Sequence, residues 1–282
     1  MNTQLQTEKA ARLRALHQGP KILVLPNAWD VASARVIEDL GYPAIATSSA
    51  AIAATLGYPD GQRISQQEML EVVARIARAV NVPVTADAEA GYGTSTADTV
   101  QFAKDLVACG AVGLNFEDIT GSDETSHVAL DLQVANIQAL RDTSKSLGVP
   151  LVINARTDIF LMPIGPAETR FERTIERLRA YRQAGADCVF APGVADSTTI
   201  AKLVQSVNAP LNILTSQSCP SIPELERLGV RRVSLGSSLM RATLGIIRRV
   251  DKELQTTGTY TTLNEGTISF PELQQLLQRA SS

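Results

Sequence analysis

A closed (β/α)8 barrel with an extra C-terminal helix is the fold this sequence predicts, on three observations. The chain has 282 residues, 44% of them apolar, which is long for an ordinary domain but suits one barrel of about 250 residues. Short apolar runs rich in β-branched residues recur eight times. An amphipathic helical pattern lies between most of them, and eight strands alternating with helices are the arithmetic of a parallel barrel. The rival, a doubly wound sheet, normally stops near about six strands and carries a glycine-rich turn after its first. Here that stretch reads LPNAWDVAS, without GxGxxG.

In chain order the expected strands are 22–25, 44–47, 82–86, 112–116, 151–154, 187–190, 211–214 and 232–235. Each has the length of about 4–6 residues expected of a strand buried on both faces. Before them, His17 falls in an expected N-terminal helix. The clearest helix is 65–80, with Met69, Val72, Val73, Ile76 and Val80 on one face. Segments 96–109, 132–147, 166–183, 197–207 and 221–228 repeat the scheme. Several run into a small-residue stop before the next strand: CGAVGLNF, LGVPLVIN, AGADCVFA and LGVRRVSL. Each reads as a helix-terminating glycine followed by entry into a parallel strand. No linker, charge block or low-complexity tract divides residues 1–282, so a single domain is expected. The tail from about Asn264 holds one more helix with Phe270, Leu273, Leu276 and Leu277 on its apolar face. It would cap its own barrel or pack on a neighbouring subunit.

Composition excludes several function classes. A net charge of −3 and a pI near 5.5 leave no electrostatic footprint for nucleic acid or an anionic membrane. No apolar run approaches the roughly 20 residues of a membrane span. The first 19 residues lack the apolar stretch of a signal peptide, so a cytoplasmic location is expected. The cysteines Cys109, Cys188 and Cys219 are widely spaced and form neither a disulfide framework nor a metal knuckle. Two histidines, His17 and His127, share no HxxxH-like spacing, and no GxSxG accompanies them. Carboxylates, arginine, hydroxyls and backbone groups must therefore carry most of any catalysis.

In a barrel the residues at strand C-termini face the active site. That rule singles out Asn27, Trp29 and Asp30 after the first strand, and Thr47, Ser48 and Ser49 after the second. Next come Asp87 and Glu89, Glu117 and Asp118, and Arg156, Thr157 and Asp158 after the third to fifth. Asp87 and Glu89 would share a face if their strand stayed regular, with Glu117 beside them. Three converging carboxylates repel, so a proton or a cation must intervene. Without histidine or thiol nearby the cation implied is hard, and Mg²⁺ fits best, with Mn²⁺ as the alternative. The stretch at Ser48, Ser49 and Ala50 reads either as an anion-binding loop or as the start of a small-residue helix. Arg156 reads as an anion-stabilising group or as an ion-pair partner of the neighbouring acids. The cysteines read as inert.

The segments LPNAWDVASARVIEDLGYPAIATSSAAIAATLGYPDG, VPVTADAEAGYG, GLNFEDITG and INARTD occur in this order at strand ends. Together they resemble the isocitrate lyase/phosphoenolpyruvate mutase superfamily, from about residue 20 to at least 240. The resemblance implies a Mg²⁺-dependent enzyme that makes or breaks a C–C or P–C bond through an enolate of a small oxo acid. It implies Asp87 as the direct metal ligand, with Asp60, Glu89 and Glu117 holding the metal's waters. Ser48, Ser49 and Ala50 then grip the substrate's carboxylate and oxo group, and Arg156 steadies charge on the departing group. Glu89 stands where the family more often has Asp. Isocitrate and methylisocitrate lyases carry K-[KR]-C-G-H after the fourth strand. This chain has TGSDETSHV from Thr120 to Val128, which lacks that motif and also the Lys-x-Asn-Ser loop of the phosphono enzymes. The expectation is therefore a C–C lyase for an oxaloacetate- or substituted-malate-like acid. The alternatives are P–C chemistry or a non-catalytic acid-binding barrel. Ser122, Asp123, Glu124 or His127 would lie over the substrate, and His127 is the group there that titrates near neutrality. The family likeness also implies a homo-oligomer, a tetramer or a dimer, with the tail helix perhaps exchanged.

Overall fold

The computed structural model describes residues 2–120, 127–162 and 164–278. Among them are nine strands: β1 (Leu23–Leu25), β2 (Asn27–Ala28), β3 (Ile45–Thr47), β4 (Val84–Asp87), β5 (Gly113–Phe116), β6 (Val152–Arg156), β7 (Cys188–Phe190), β8 (Leu211–Leu214) and β9 (Arg232–Ser234). All pairs are parallel, in the order β1-β9-β8-β7-β6-β5-β4-β3-β2. Because β1 and β2 are one stretch of chain interrupted at Pro26, this order closes a barrel of eight staves. Proline has no N–H for the ladder, so the first stave pairs with β9 before Pro26 and with β3 after it. Asn27 sutures the break. Its Oδ1 accepts from the backbone N–H groups of Leu235 and Gly236, each at 2.9 Å, and its Nδ2 donates to Thr47 O at 2.7 Å.

Helices follow the staves: α1 (Thr3–Gln18), α2 (Val31–Asp39), α3 (Ser49–Thr55), α4 (Gln66–Ala79), α5 (Thr96–Ala108), α6 (Leu130–Ser146), α7 (Arg170–Gln183), α8 (Ser197–Val207), α9 (Ile222–Arg227), α10 (Ser238–Thr257) and α11 (Phe270–Gln278). Capping boxes at Ser65–Glu68, Ser95–Asp98 and Ser221–Glu224 start α4, α5 and α9. The four expected glycine stops, Gly110, Gly148, Gly185 and Gly229, all take positive φ, the conformation that ends a helix and turns the chain back into a strand. Two helices lie outside the expected segments, α2 and the 20-residue α10.

The staves are not apolar on both faces. Outward residues such as Ala86, Leu114, Ile153, Val189, Ile213 and Val233 join the main core beneath the helices. Inward residues include Leu23, Leu25 and Ala46, but also the buried polar side chains Thr85, Asn115, Asn154, Asn212, Arg232 and Ser234. The N-terminal mouth is closed by α1. Its Leu13 packs into the space left by the missing side chain of Gly113, and Gln6, Lys9 and Arg14 donate to backbone carbonyls around the rim. Arg14 and Arg141 also pair with Asp187. The tail helix α11 rests against α2 with Leu276 buried, while Phe270 and Leu277 stay exposed. No helix among the described residues is long and apolar enough to cross a membrane.

Candidate active site

At the C-terminal mouth two adjoining hollows of about 390 and 180 Å³ share Ser49, Asp60, Arg156 and Leu161. Glu117, Asp158 and Ile119 line the larger, and Ser48, Ala50, Asp87, Asn115, Phe190 and Leu214 the smaller. The walls thus combine one cation, several acids and a few apolar side chains.

Asp87 ends β4 and is held from three sides. Its Oδ2 accepts from Ser49 N at 2.9 Å and Ser49 Oγ at 2.8 Å, and its Oδ1 accepts from Asn115 Nδ2 at 3.2 Å. Of the two expected readings of the Ser48 segment, the start of a small-residue helix is the one the structure contains. A helix, α3, begins there with Ser48 as its N-cap, and its first turn faces the smaller hollow. Ser49 itself is committed to Asp87.

The strand does not stay regular past Asp87. Glu89 takes φ 47°, so it leaves the strand line. Its Oε1 accepts from Tyr92 Oη at 2.9 Å and its Oε2 from Gln62 N. Gln62 and Tyr92 also have positive φ, so three non-glycine residues in the left-handed region meet at one carboxylate. Such conformations cost on the order of 1 kcal/mol or more each and persist where the surroundings enforce them. Burial pushes Glu89 up to about 7, and the charges of Asp87 and Asp60 add to the rise against the Tyr92 and Gln62 bonds.

Arg156, at the end of β6, lies between two acids. Nη1 meets Glu117 Oε2 and Nε meets Asp158 Oδ1, each at 2.8 Å, and Phe190 stacks under Cζ at 5.8 Å. Burial pushes Glu117 well above the usual carboxylate range against the pull of Arg156. Asp158 is likewise raised by burial, to about 6. For Arg156, the two acids outweigh burial and raise its pKa.

Asp118 faces the other way. It is fully buried among Arg177, Tyr181 and the backbone N–H of Asp158, which its carboxylate receives at 3.1, 2.7 and 3.0 Å. His127 belongs to that group: the charges acting on it are Asp118, Arg177 and Arg173, and it lines neither hollow. Ser122, Asp123 and Glu124 lie outside the described residues. The thiols are inert in character, with burial pushing Cys109 up to about 11 and Cys188 up to about 12.

Among the described residues no three acids, histidines or cysteines converge closely enough to enclose a metal directly. Glu117 is turned to Arg156 and Glu89 to Tyr92. A cation bound by one carboxylate and reached by the others through water is compatible with this spacing. Among the described residues Asp87 Oδ1 accepts one hydrogen bond and keeps a lone pair for it. The donors are all oxygen and the acids raise one another's pKa, so the residues fit a hard divalent ion.

Residues 13–255 match the phosphoenolpyruvate phosphomutase family model. Over its whole length the chain resembles a solved structure from Burkholderia cenocepacia J2315, with a TM-score of 0.90, 35% identity and 98% of each chain covered. It is 29% identical to an oxaloacetate decarboxylase of Pseudomonas fluorescens over 79% of this chain and 76% of that protein. It is also 27% identical to a 2-methylisocitrate lyase of Aeropyrum pernix, over 88% and 80%.

Proposed function

The chain belongs to the phosphoenolpyruvate mutase/isocitrate lyase superfamily, and from that premise we propose that it is a Mg²⁺-dependent lyase. Its substrate would be a small 2-oxo or 2-hydroxy dicarboxylate of the oxaloacetate or substituted-malate class, cleaved at a C–C bond through an enolate. The observation that carries this reading is Arg156, paired with Glu117 and Asp158 on a cavity that Asp87 and the start of α3 also line.

Asp87 would hold the cation, with Asp60, Glu89 and Glu117 holding its waters; Mn²⁺ would substitute. When bound, the cation supplies Lewis-acid stabilisation for negative charge developing on substrate oxygens. Ser48 and Ala50 would hold the substrate carboxylate against the first turn of α3, while Ser49 keeps its N–H and hydroxyl on Asp87. For an oxaloacetate-like acid, the bond to the departing carboxylate breaks and its electron pair enters the enolate. Carbon dioxide leaves, and the enolate carbon then takes a proton. Arg156 would stabilise the departing group, since its planar guanidinium is fixed by two acids and need not reorganise. Glu117, held above the usual carboxylate range, would hand on the proton. His127 drops out of that role because its neighbours are Asp118 and Arg177. The enzyme would act as a dimer or tetramer, a reading supported by Leu244, Ile246, Ile247 and Leu254 standing exposed along α10.

The test is a substrate panel of oxaloacetate, dimethylmalate, methylisocitrate and phosphonopyruvate, with Mg²⁺ or with EDTA. Oxo-acid product is expected from oxaloacetate or dimethylmalate, abolished by EDTA and by Asp87→Ala. Turnover of phosphonopyruvate alone would instead indicate P–C chemistry. Acid binding without turnover of any substrate would indicate a binding barrel.

A further inference from the structure

Beneath Asp87 the barrel interior holds a guanidinium that forms no ion pair among the described residues. Arg232 on β9 is fully buried, and of its nitrogens Nη2 donates to Asn115 Oδ1 at 3.0 Å while Nε and Nη1 have no partner among the described residues. Burying an unpaired cation costs several kcal/mol, and an apolar side chain would fill the same stave without that cost. Arg232 remains a cation at neutral pH even though burial pulls it down to about 10.

The contact to Asn115 gives the arginine a use. Asn115 Oδ1 also accepts from Asn154 Nδ2 at 2.8 Å, and Asn115 Nδ2 donates to Asp87 Oδ1. An asparagine amide is reversible by a half-turn, and an acceptor turned toward Asp87 would repel the carboxylate. Asn154 Oδ1 has no hydrogen-bond partner among the described residues, so Asn154 does not itself oppose a joint reversal of the two amides. Arginine does oppose it, since it has donors only. Its presence below, with the acceptor-only carboxylate of Asp87 above, holds Asn115 oxygen down and nitrogen up. The upper end of the relay then always presents a donor to Asp87.

We propose that Arg232 is a positioning residue that acts through Asn115 to fix the orientation of the Asp87 carboxylate, and so its affinity for a divalent cation. The proposal rests on the assignment of Asp87 as the metal ligand. It extends the site two hydrogen bonds down into the barrel, to a residue that lines neither hollow.

The discriminating comparison is Arg232→Lys against Arg232→Gln. Lysine keeps a donor-only head group, whereas glutamine can present its own oxygen or nitrogen and lets the relay reverse. Mn²⁺ affinity is measured calorimetrically without substrate, so the readout does not depend on turnover. Loss of a partner that orients a metal ligand typically weakens binding 10–100-fold. Arg232→Gln is expected to weaken Mn²⁺ about tenfold or more, with Arg232→Lys within about threefold of wild type. Asn115→Leu removes the relay at its middle and should match the glutamine variant. If Arg232→Gln does not fold, Asn115→Leu carries the test. Wild-type Mn²⁺ affinity in Arg232→Gln or in Asn115→Leu would overturn the proposal while leaving the metal assignment standing. Absence of Mn²⁺ binding by the wild-type protein would overturn both.

Discussion

Replacing Arg156 by lysine separates a catalytic arginine from a structural one. The guanidinium spans Glu117 and Asp158 with two nitrogens, each at 2.8 Å. A lysine has one nitrogen on a flexible stem, so it can keep only one of the two ion pairs. The carboxylate that loses its partner stays buried or half-buried, since Asp158 is 2% exposed and Glu117 13%. A charge-assisted hydrogen bond of this kind is worth roughly 1.5–3 kcal/mol, so a loss of about 2 kcal/mol in stability is expected. At about 2–4 °C per kcal/mol for a large domain, the thermal midpoint should fall by roughly 5 °C. The fixed planar donor set is also lost from the departing group, and losing one such stabilising donor costs about 3 kcal/mol in the transition state. That is a fall in kcat on the order of 100-fold. Both quantities are read on the same preparation, by calorimetry and by steady-state kinetics on the substrate identified from the panel. A variant that melts lower but keeps kcat within about threefold would refute the catalytic role and leave Arg156 as an internal clamp.

Two further outcomes follow from the packing. His17 is buried on α1 with Nδ1 2.8 Å from Leu13 O, and burial lowers its pKa from 6.5 to about 4. Between those values the unfolded chain binds a proton that the folded one refuses, so stability is full above pH 6.5 and falls toward pH 4. Urea titrations should show wild type losing about 2 kcal/mol more than His17→Gln between roughly pH 7 and pH 5; parallel losses would contradict the assignment. Gly193 has φ 87°, and a Cβ there would lie 2.7 Å from Leu161 N and 2.8 Å from Phe160 O. Gly193→Ala should therefore cost about 3 kcal/mol and, because Leu161 lines both hollows, also lower activity. An unchanged urea midpoint would show that this turn yields.

Much of the fold could be read from local pattern. Each expected strand has its counterpart, and the four glycine stops end their helices with positive φ. Ser65, Ser95 and Ser221 start theirs as capping boxes. These signals survive because they depend on residues within a few positions of one another. The break at Pro26 was visible as a proline inside a strand region but was not used. The polar barrel interior was also signalled, since Asn115, Asn154, Asn212 and Arg232 each interrupt an apolar run where a buried polar side chain needs a partner.

The candidate site was legible in position but not in pairing. Asp87, Glu117 and Arg156 border the cavity as the strand-end rule implies. The turn at Glu89 broke the simple two-residue spacing, because the left-handed conformation there is enforced by Tyr92 and Gln62, from different loops. His127 sits in a loop that the sequence places near the mouth, yet its surroundings are set by α7, more than 40 residues away, through Arg173 and Arg177.

By itself the sequence determined the eight-stave barrel, the mouth at which acids gather and the scarcity of histidine that leaves chemistry to carboxylates. Periodicity, caps and strand-end placement are local and survive in one dimension. Only the tertiary structure decided which acid meets which base: Arg156 between Glu117 and Asp158, Asp118 turned outward to Arg177, and Arg232 beneath Asp87 by way of Asn115. Apart from Asp158, which follows Arg156 by two residues, those partners are separated by tens of residues and come from different staves or from a helix. Their charges and hydrogen bonds are set by distances that exist only once the barrel has closed.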